Sequence, residues 1–181
     1  MGEPRPPEPV KLIAGLLVAA PALLDEVHAA LASEFGAIDA ASEPAPWLES
    51  TYYQREMGAN LLRQYLSFAA LVDPGSLAHL KRRTNALEQR WRAARGRRVN
   101  IDPGYLSATK LVLASTKDAA HRIFLADGIY AEATLRFIEG RWQPYVHSYR
   151  DYARAVALEF FSRVRARFLA QRRGGSLDGG A

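Results

Sequence analysis

The chain has 181 residues, 49% of them hydrophobic and 24% charged, and contains no cysteine. That length can bury one core of ordinary domain size, and the missing thiols exclude a disulfide framework, a cysteine nucleophile and a thiolate-bound zinc. The net charge of +5 is unevenly divided: residues 1–60 carry three basic and nine acidic side chains, residues 61–181 carry 21 basic and 10 acidic.

No run of about 18 apolar residues exists, so no membrane span is expected. Met1 to Pro9 is rich in proline and glutamate and lacks the basic start of a signal peptide, which points to the cytoplasm. Residues 1–10 read as a flexible start, 11–170 as one domain, and 171–181 as a disordered Gly-rich tail.

Lys11 to Val18 (KLIAGLLV) is a short apolar run with β-branched residues and reads as a buried strand. Pro21 opens a helix, where its missing N–H does no harm, and Gly36 stops it. Ile38 to Glu43 is a second strand, cut off by Pro44 and Pro46. Trp47 to Asn60 is irregular. Leu62 to Phe68 is a third strand. Asp73-Pro74 caps a second helix whose apolar face holds Leu77, Leu80, Leu87 and Trp91. The basic turn Arg95 to Arg98 ends it.

Val99 to Ile101 starts a strand that Pro103-Gly104 is expected to break. Thr109 to Ser115, His121 to Ala126 and Ile129 to Ile138 follow as strands. Asp127-Gly128 is a two-residue hairpin signal, because that turn needs positive φ at both positions. Arg141 to Tyr145 is an edge strand, and Ser148 caps a last helix carrying Phe160, Val164 and Phe168. The order implies an α+β domain: a mainly antiparallel sheet with about three helices over one face, ferredoxin-like in its first half and a β-meander after it.

The 33-residue stretch from Asn100 to Glu132 concentrates charge where sheet is expected. Strand alternation can bring Lys110, Arg122, Tyr130 and Glu132 to one face, with Asn100 and Asp102 from the preceding loop and Lys117 and His121 beside them. Two lysines and an arginine suit an anionic group; arginine grips in a plane and lysine acts as a point charge. His121, Glu132 and Asp102 are the groups suited to proton transfer. Tyr53 and Glu56, in the loop Tyr52 to Gly58, can cover such a pocket. Asp102, Glu132 and His121 could ligate a metal but show no local metal-ligand spacing, so no metal site is assigned, and the sequence leaves any cofactor unidentified. The phosphate-loop and dinucleotide glycine signatures are absent.

Asn100 to Tyr105, Lys110 to Asp118, His121-Arg122-Ile123 and Gly128 to Glu132, together with Glu56-Met57-Gly58, resemble a prokaryotic single-domain family of unknown function. The resemblance runs from Lys11 to about Phe168. Some members of that family are labelled GTP-binding; the resemblance implies no established reaction. Ala119-Ala120, Ala126-Asp127 and Trp47-Leu48-Glu49 depart from its pattern.

Three functions follow from these residues. The first is binding or processing of a small anionic metabolite or nucleotide at the polar site. The second is RNA or DNA binding through the arginine-rich segment 81–98, with Trp91 or tyrosines stacking on bases. The third is a non-catalytic adaptor.

Overall fold

The computed structural model describes residues 2–94 and 96–175. One nine-stranded, wholly antiparallel sheet runs through it. The strands are β1 (Val10–Val18), β2 (Ile38–Ala41), β3 (Ala45–Pro46), β4 (Leu62–Val72) and β5 (Val99–Leu106), then β6 (Lys110–Ser115), β7 (Ile123–Ala126), β8 (Ile129–Ile138) and β9 (Arg141–Pro144). The helices are α1 (Leu24–Phe35), α2 (Gln54–Met57), α3 (Leu77–Glu88) and α4 (Ala155–Gly175). The order across the sheet is β2-β4-β1-β5-β6-β8-β7, with β3 on β4 and β9 on β8. Its first four positions, joined through α1 and α3, are the ferredoxin-like half; the expected meander is corrected, because β6 pairs with β8 and β7 lies on the outer side of β8.

The expectation of helices over one face is corrected. Leu12, Ala14, Leu16 and Val18 pack with Val27 and Leu31 of α1 and Leu80 and Leu87 of α3. Ile13, on the other face of β1, packs with Phe160, Phe161, Val164 and Phe168 of α4. All nine residues of β1 are therefore buried, which is why it reads as a continuous apolar run rather than an alternation. Each such Leu or Ile contributes about 1.5–3 kcal/mol when fully buried.

Three boundaries also differ. β5 runs straight through Pro103 and Gly104. Its pairing with β6 begins only at Gly104, so up to Pro103 it is an edge on that side, where a missing N–H is tolerated. A Cβ on Gly104 would stand 2.4 Å from the carbonyl oxygen of Val112, so only glycine allows the approach. Second, His121 and Arg122 precede β7 instead of belonging to it. Third, α4 starts at Ala155, not after Ser148, whose hydroxyl instead donates to the carbonyl of Thr134 and fixes the loop before the helix. Helix α4 continues through Gly175, so the first half of the expected disordered tail is helical; residues 176–181 lie outside the described residues, as do Met1 and Arg95. The hairpin turn has φ 52° at Asp127 and 73° at Gly128, as its sequence requires.

Candidate functional site

The ladder between β5 and β6 ends at Gly104 opposite Leu113. Beyond that pair the strands part. The first half of β5 stays with β1, while Ser115, at the end of β6, goes with β8. The split leaves Asn100 and Asp102 on one side and Ser115 to Lys117 on the other, and a cleft fills it.

The cleft has two chambers. The larger, about 610 Å³, is walled by the loop carrying Trp47, Tyr52 and Tyr53 and by the loop carrying His147, Tyr149 and Arg150. The smaller, about 270 Å³, reaches Lys81, Asn85 and Glu88 of α3. Tyr53, Asn100, Asp102, Lys117 and Tyr149 line both.

Asp102 is the electrostatic centre. Its carboxylate accepts from the amide of Asn100 at 2.9 Å and stands 3.5 Å from the ammonium of Lys81 and 3.6 Å from the guanidinium of Arg63. Burial pushes its pKa up, but Lys81, Arg63 and Asn100 outweigh burial and hold the carboxyl below the usual aspartate range. Lys81 also donates to the carbonyl of Ile101 at 2.8 Å, reaching it through the split. Glu88 accepts from the N–H of Ile101 at 2.7 Å, and burial raises its pKa. Arg97 forks onto both oxygens of Glu56, at 2.9 and 3.0 Å, and donates to Asn100 at 2.8 Å.

On the floor, Arg63 pairs with Asp151 at 2.6 Å and lies 5.1 Å from the ring centroids of Tyr65 and Tyr152. Asp151 also accepts from the Tyr65 hydroxyl at 3.0 Å. Glu49, in the wall, pairs with Arg154. Lys117 donates to the Tyr52 hydroxyl at 2.8 Å, a contact that lowers the pKa of that phenol.

A second network stands behind the cleft wall. Glu132 is 1% exposed, faces Arg122 at 3.0 Å and His121 at 3.2 Å, and is also reached by the Thr134 hydroxyl at 3.3 Å. Arg122 in turn donates to the carbonyl of Lys117 at 2.9 Å and to the Tyr149 hydroxyl at 2.7 Å. The His121 ring stacks on that of His147 at 4.3 Å, and His147 lines the larger chamber.

The residues singled out from the sequence thus fall into three groups. Asn100, Asp102, Lys117 and Tyr53 line the cleft. His121, Arg122 and Glu132 sit behind its wall, and Glu56 anchors Arg97 at its rim. Lys110 and Tyr130 are not brought to it. Lys110 lies at the far end of β6, opposite Arg136, and Tyr130 packs edge-on against Phe124. The expected common face of Lys110, Arg122, Tyr130 and Glu132 does not form. The pairing of β6 with β8 is shifted between Leu111 and Val112, and Arg122 reaches Glu132 from a turn rather than from a neighbouring strand.

Arg63, Asp151, Tyr149 and Arg150, with Glu49, Asn85 and Glu88, are among the cleft residues that sequence reasoning missed. The one available signal was Arg63 inside the apolar pattern of β4, since a charge on a buried strand needs a partner. Among the described residues no three His, Asp or Glu side chains gather closely enough to hold a metal ion, and no helix is long and apolar enough to cross a membrane.

Part of the arginine-rich segment is committed elsewhere, while Arg90, Arg92 and Arg98 form no ion pair among the described residues. Arg82 pairs with Asp127, Arg83 with Glu34, Arg97 with Glu56 and Glu88, and Lys81 with Asp102. Trp91 is 5% exposed in the core beside Leu87, so it is not a stacking platform.

Residues 8–168 match the family described as Domain of unknown function (DUF4416). Neither a curated protein nor a solved structure matches the chain.

Proposed function

Since the chain belongs to the DUF4416 family, whose description assigns no activity, we propose its function from the cleft: it is a cytosolic protein that binds or processes a small anionic metabolite. One observation carries this reading. The carboxylates lining the larger chamber are already paired, Glu49 with Arg154, Asp151 with Arg63 and Asp102 with Lys81 and Arg63. Lys117 and Arg150, both exposed on its wall, form no ion pair among the described residues. The chamber therefore offers surplus positive charge between low-dielectric aromatic walls, which concentrates an anion. A nucleotide is within this class, with Tyr53, Tyr149 and Trp47 available to a base.

Asp102, whose side chain is 27% exposed, is the carboxylate that a ligand can touch. His121 and Glu132 would act from behind the wall, through His147 and Tyr149. If the bound molecule is transformed, Asp102 is the part-exposed carboxylate available to it as a proton acceptor.

The test is a thermal-shift screen of inorganic phosphate, pyrophosphate, nucleotides and sugar phosphates, because a ligand bound only by the folded state raises the melting temperature. An anion that stabilises the protein, and loses that effect in Lys117→Met/Arg150→Met, supports the reading. No stabilisation by any anion, or the same stabilisation in the double variant, removes it. Within segment 81–98 Lys81, Arg82, Arg83 and Arg97 are paired with carboxylates and Trp91 is buried, so a nucleic-acid reading rests there on Arg90, Arg92 and Arg98 and has no stacking side chain from Trp91.

A further inference from the structure

The two chambers differ in what they leave unsatisfied. In the larger one the cations Lys117 and Arg150 are in no ion pair among the described residues. In the smaller one every cation except the shared Lys117 is spoken for. Lys81 is held by the carbonyl of Ile101 and by Asp102, and Arg97 by Glu56, Glu88 and Asn100. An anion entering there would meet Glu88 and Asp102 with Lys117, at the junction with the larger chamber, as the one lining cation that is in no ion pair among the described residues.

The free capacity in the smaller chamber is for hydrogen bonds. The amide of half-buried Asn85 and the hydroxyl of Thr116 have no hydrogen-bond partner among the described residues, and the part-exposed carboxylate of Asp102 keeps lone pairs beyond those taken by Asn100 and Lys81. These are donors and acceptors side by side. The group that satisfies both at once is a hydroxyl, with one O–H and two lone pairs. An apolar group would strand them, at a cost that a site built on hydrogen bonds converts into rejection. Lys117 lines both chambers, so an anion it holds lies next to the smaller one.

Building on the anionic-ligand reading above, we propose that the ligand is a phosphorylated sugar. Its phosphate sits at Lys117 and Arg150, and its hydroxyl groups enter the smaller chamber against Asn85, Asp102 and Thr116. Tyr53 and Tyr149, at the junction, offer their ring faces to the carbon skeleton.

The experiment is titration calorimetry of the full chain with inorganic phosphate, phenyl phosphate, glucose and a panel of three- to six-carbon sugar phosphates. At least one sugar phosphate is expected to bind about tenfold or more tighter than inorganic phosphate, with glucose alone showing no saturation. Asn85→Ala/Thr116→Val is expected to weaken that sugar phosphate about tenfold and leave inorganic phosphate unchanged. Both residues lie at the surface of the cleft, and an unchanged melting temperature of the variant verifies its fold. Equal affinity for inorganic phosphate and every sugar phosphate overturns the proposal while leaving the anion site standing. So does phenyl phosphate gaining as much as the best sugar, or a double variant that weakens phosphate equally. If no phosphate compound binds at all, the anion site and the proposal fall together.

Discussion

Arg122 donates to the hydroxyl of Tyr149 at 2.7 Å while its Nε faces the buried carboxylate of Glu132 at 3.0 Å. One guanidinium therefore ties a charge inside the protein to a side chain that lines both chambers of the cleft. A third arm of the same fork reaches the carbonyl of Lys117. Only a planar group with several fixed donors can serve all three at once.

Replacing Arg122 with Met leaves Glu132 buried with the His121 ring and the Thr134 hydroxyl as its remaining side-chain partners. The expected loss is about 3 kcal/mol, the cost of breaking a buried pair from one side. Arg122→Lys keeps the charge but gives up the fork, and is expected to lose about 1 kcal/mol, the scale of one net hydrogen bond. Urea unfolding midpoints check the ranking. A Lys variant as unstable as the Met variant would show that fork geometry, not charge, dominates.

Lys117→Met is expected to leave stability within about 0.5 kcal/mol of the parent, because the residue is exposed and forms no ion pair among the described residues. The same substitution is expected to reduce the affinity for inorganic phosphate. Parallel thermal melts with and without phosphate read both effects.

The hydroxyl of Tyr152 is buried and has no hydrogen-bond partner among the described residues. Tyr152→Phe is therefore expected to be neutral or stabilising by about 1 kcal/mol, since it removes a desolvated polar group without opening a cavity. Gly15→Ala would place a Cβ 2.3 Å from that hydroxyl and 3.1 Å from Arg63, so alone it is expected to destabilise by about 1–3 kcal/mol. Combined with Tyr152→Phe, part of the loss is recovered. A double-mutant cycle in urea measures the coupling, and strict additivity would count against the clash.

Acid stability follows from Asp102. Its carboxyl binds a proton more weakly in the folded protein than in the unfolded chain. Its contribution is thus complete above the ordinary aspartate value of 3.8 and is lost as the pH falls through the lower folded value. Asp102→Asn is expected to flatten the stability curve below about pH 4. Glu88 has the opposite sign. Its pKa is raised, so its contribution is fullest at low pH and declines as the pH rises past the ordinary value of 4.5. Denaturant titrations between pH 3 and 7 check both slopes.

Local chemistry was readable from the chain. The apolar run of β1, the Asp73-Pro74 start before α3, the Asp127-Gly128 turn and the helical spacing of Phe160, Val164 and Phe168 each need only a residue and its near neighbours. The concentration of charge between Asn100 and Glu132 was readable too. Asn100, Asp102 and Lys117 reached the cleft because β5 and the end of β6 are the strands that part. What failed were inferences that depend on strand partners. Pro103 looked like a break because its neighbours were unknown, and Lys110 looked like part of the site because alternation fixes a face but not a position along the strand. Arg63, Asp151, Tyr149 and Arg150 come from segments remote in sequence from Asp102. Only the pairing order β4-β1-β5 and the loop before α4 bring them to it. Sequence periodicity determines which face of an element is apolar, since that is set within a few residues. Where two strands separate, and which charges are left free there, is decided by contacts between residues dozens of positions apart.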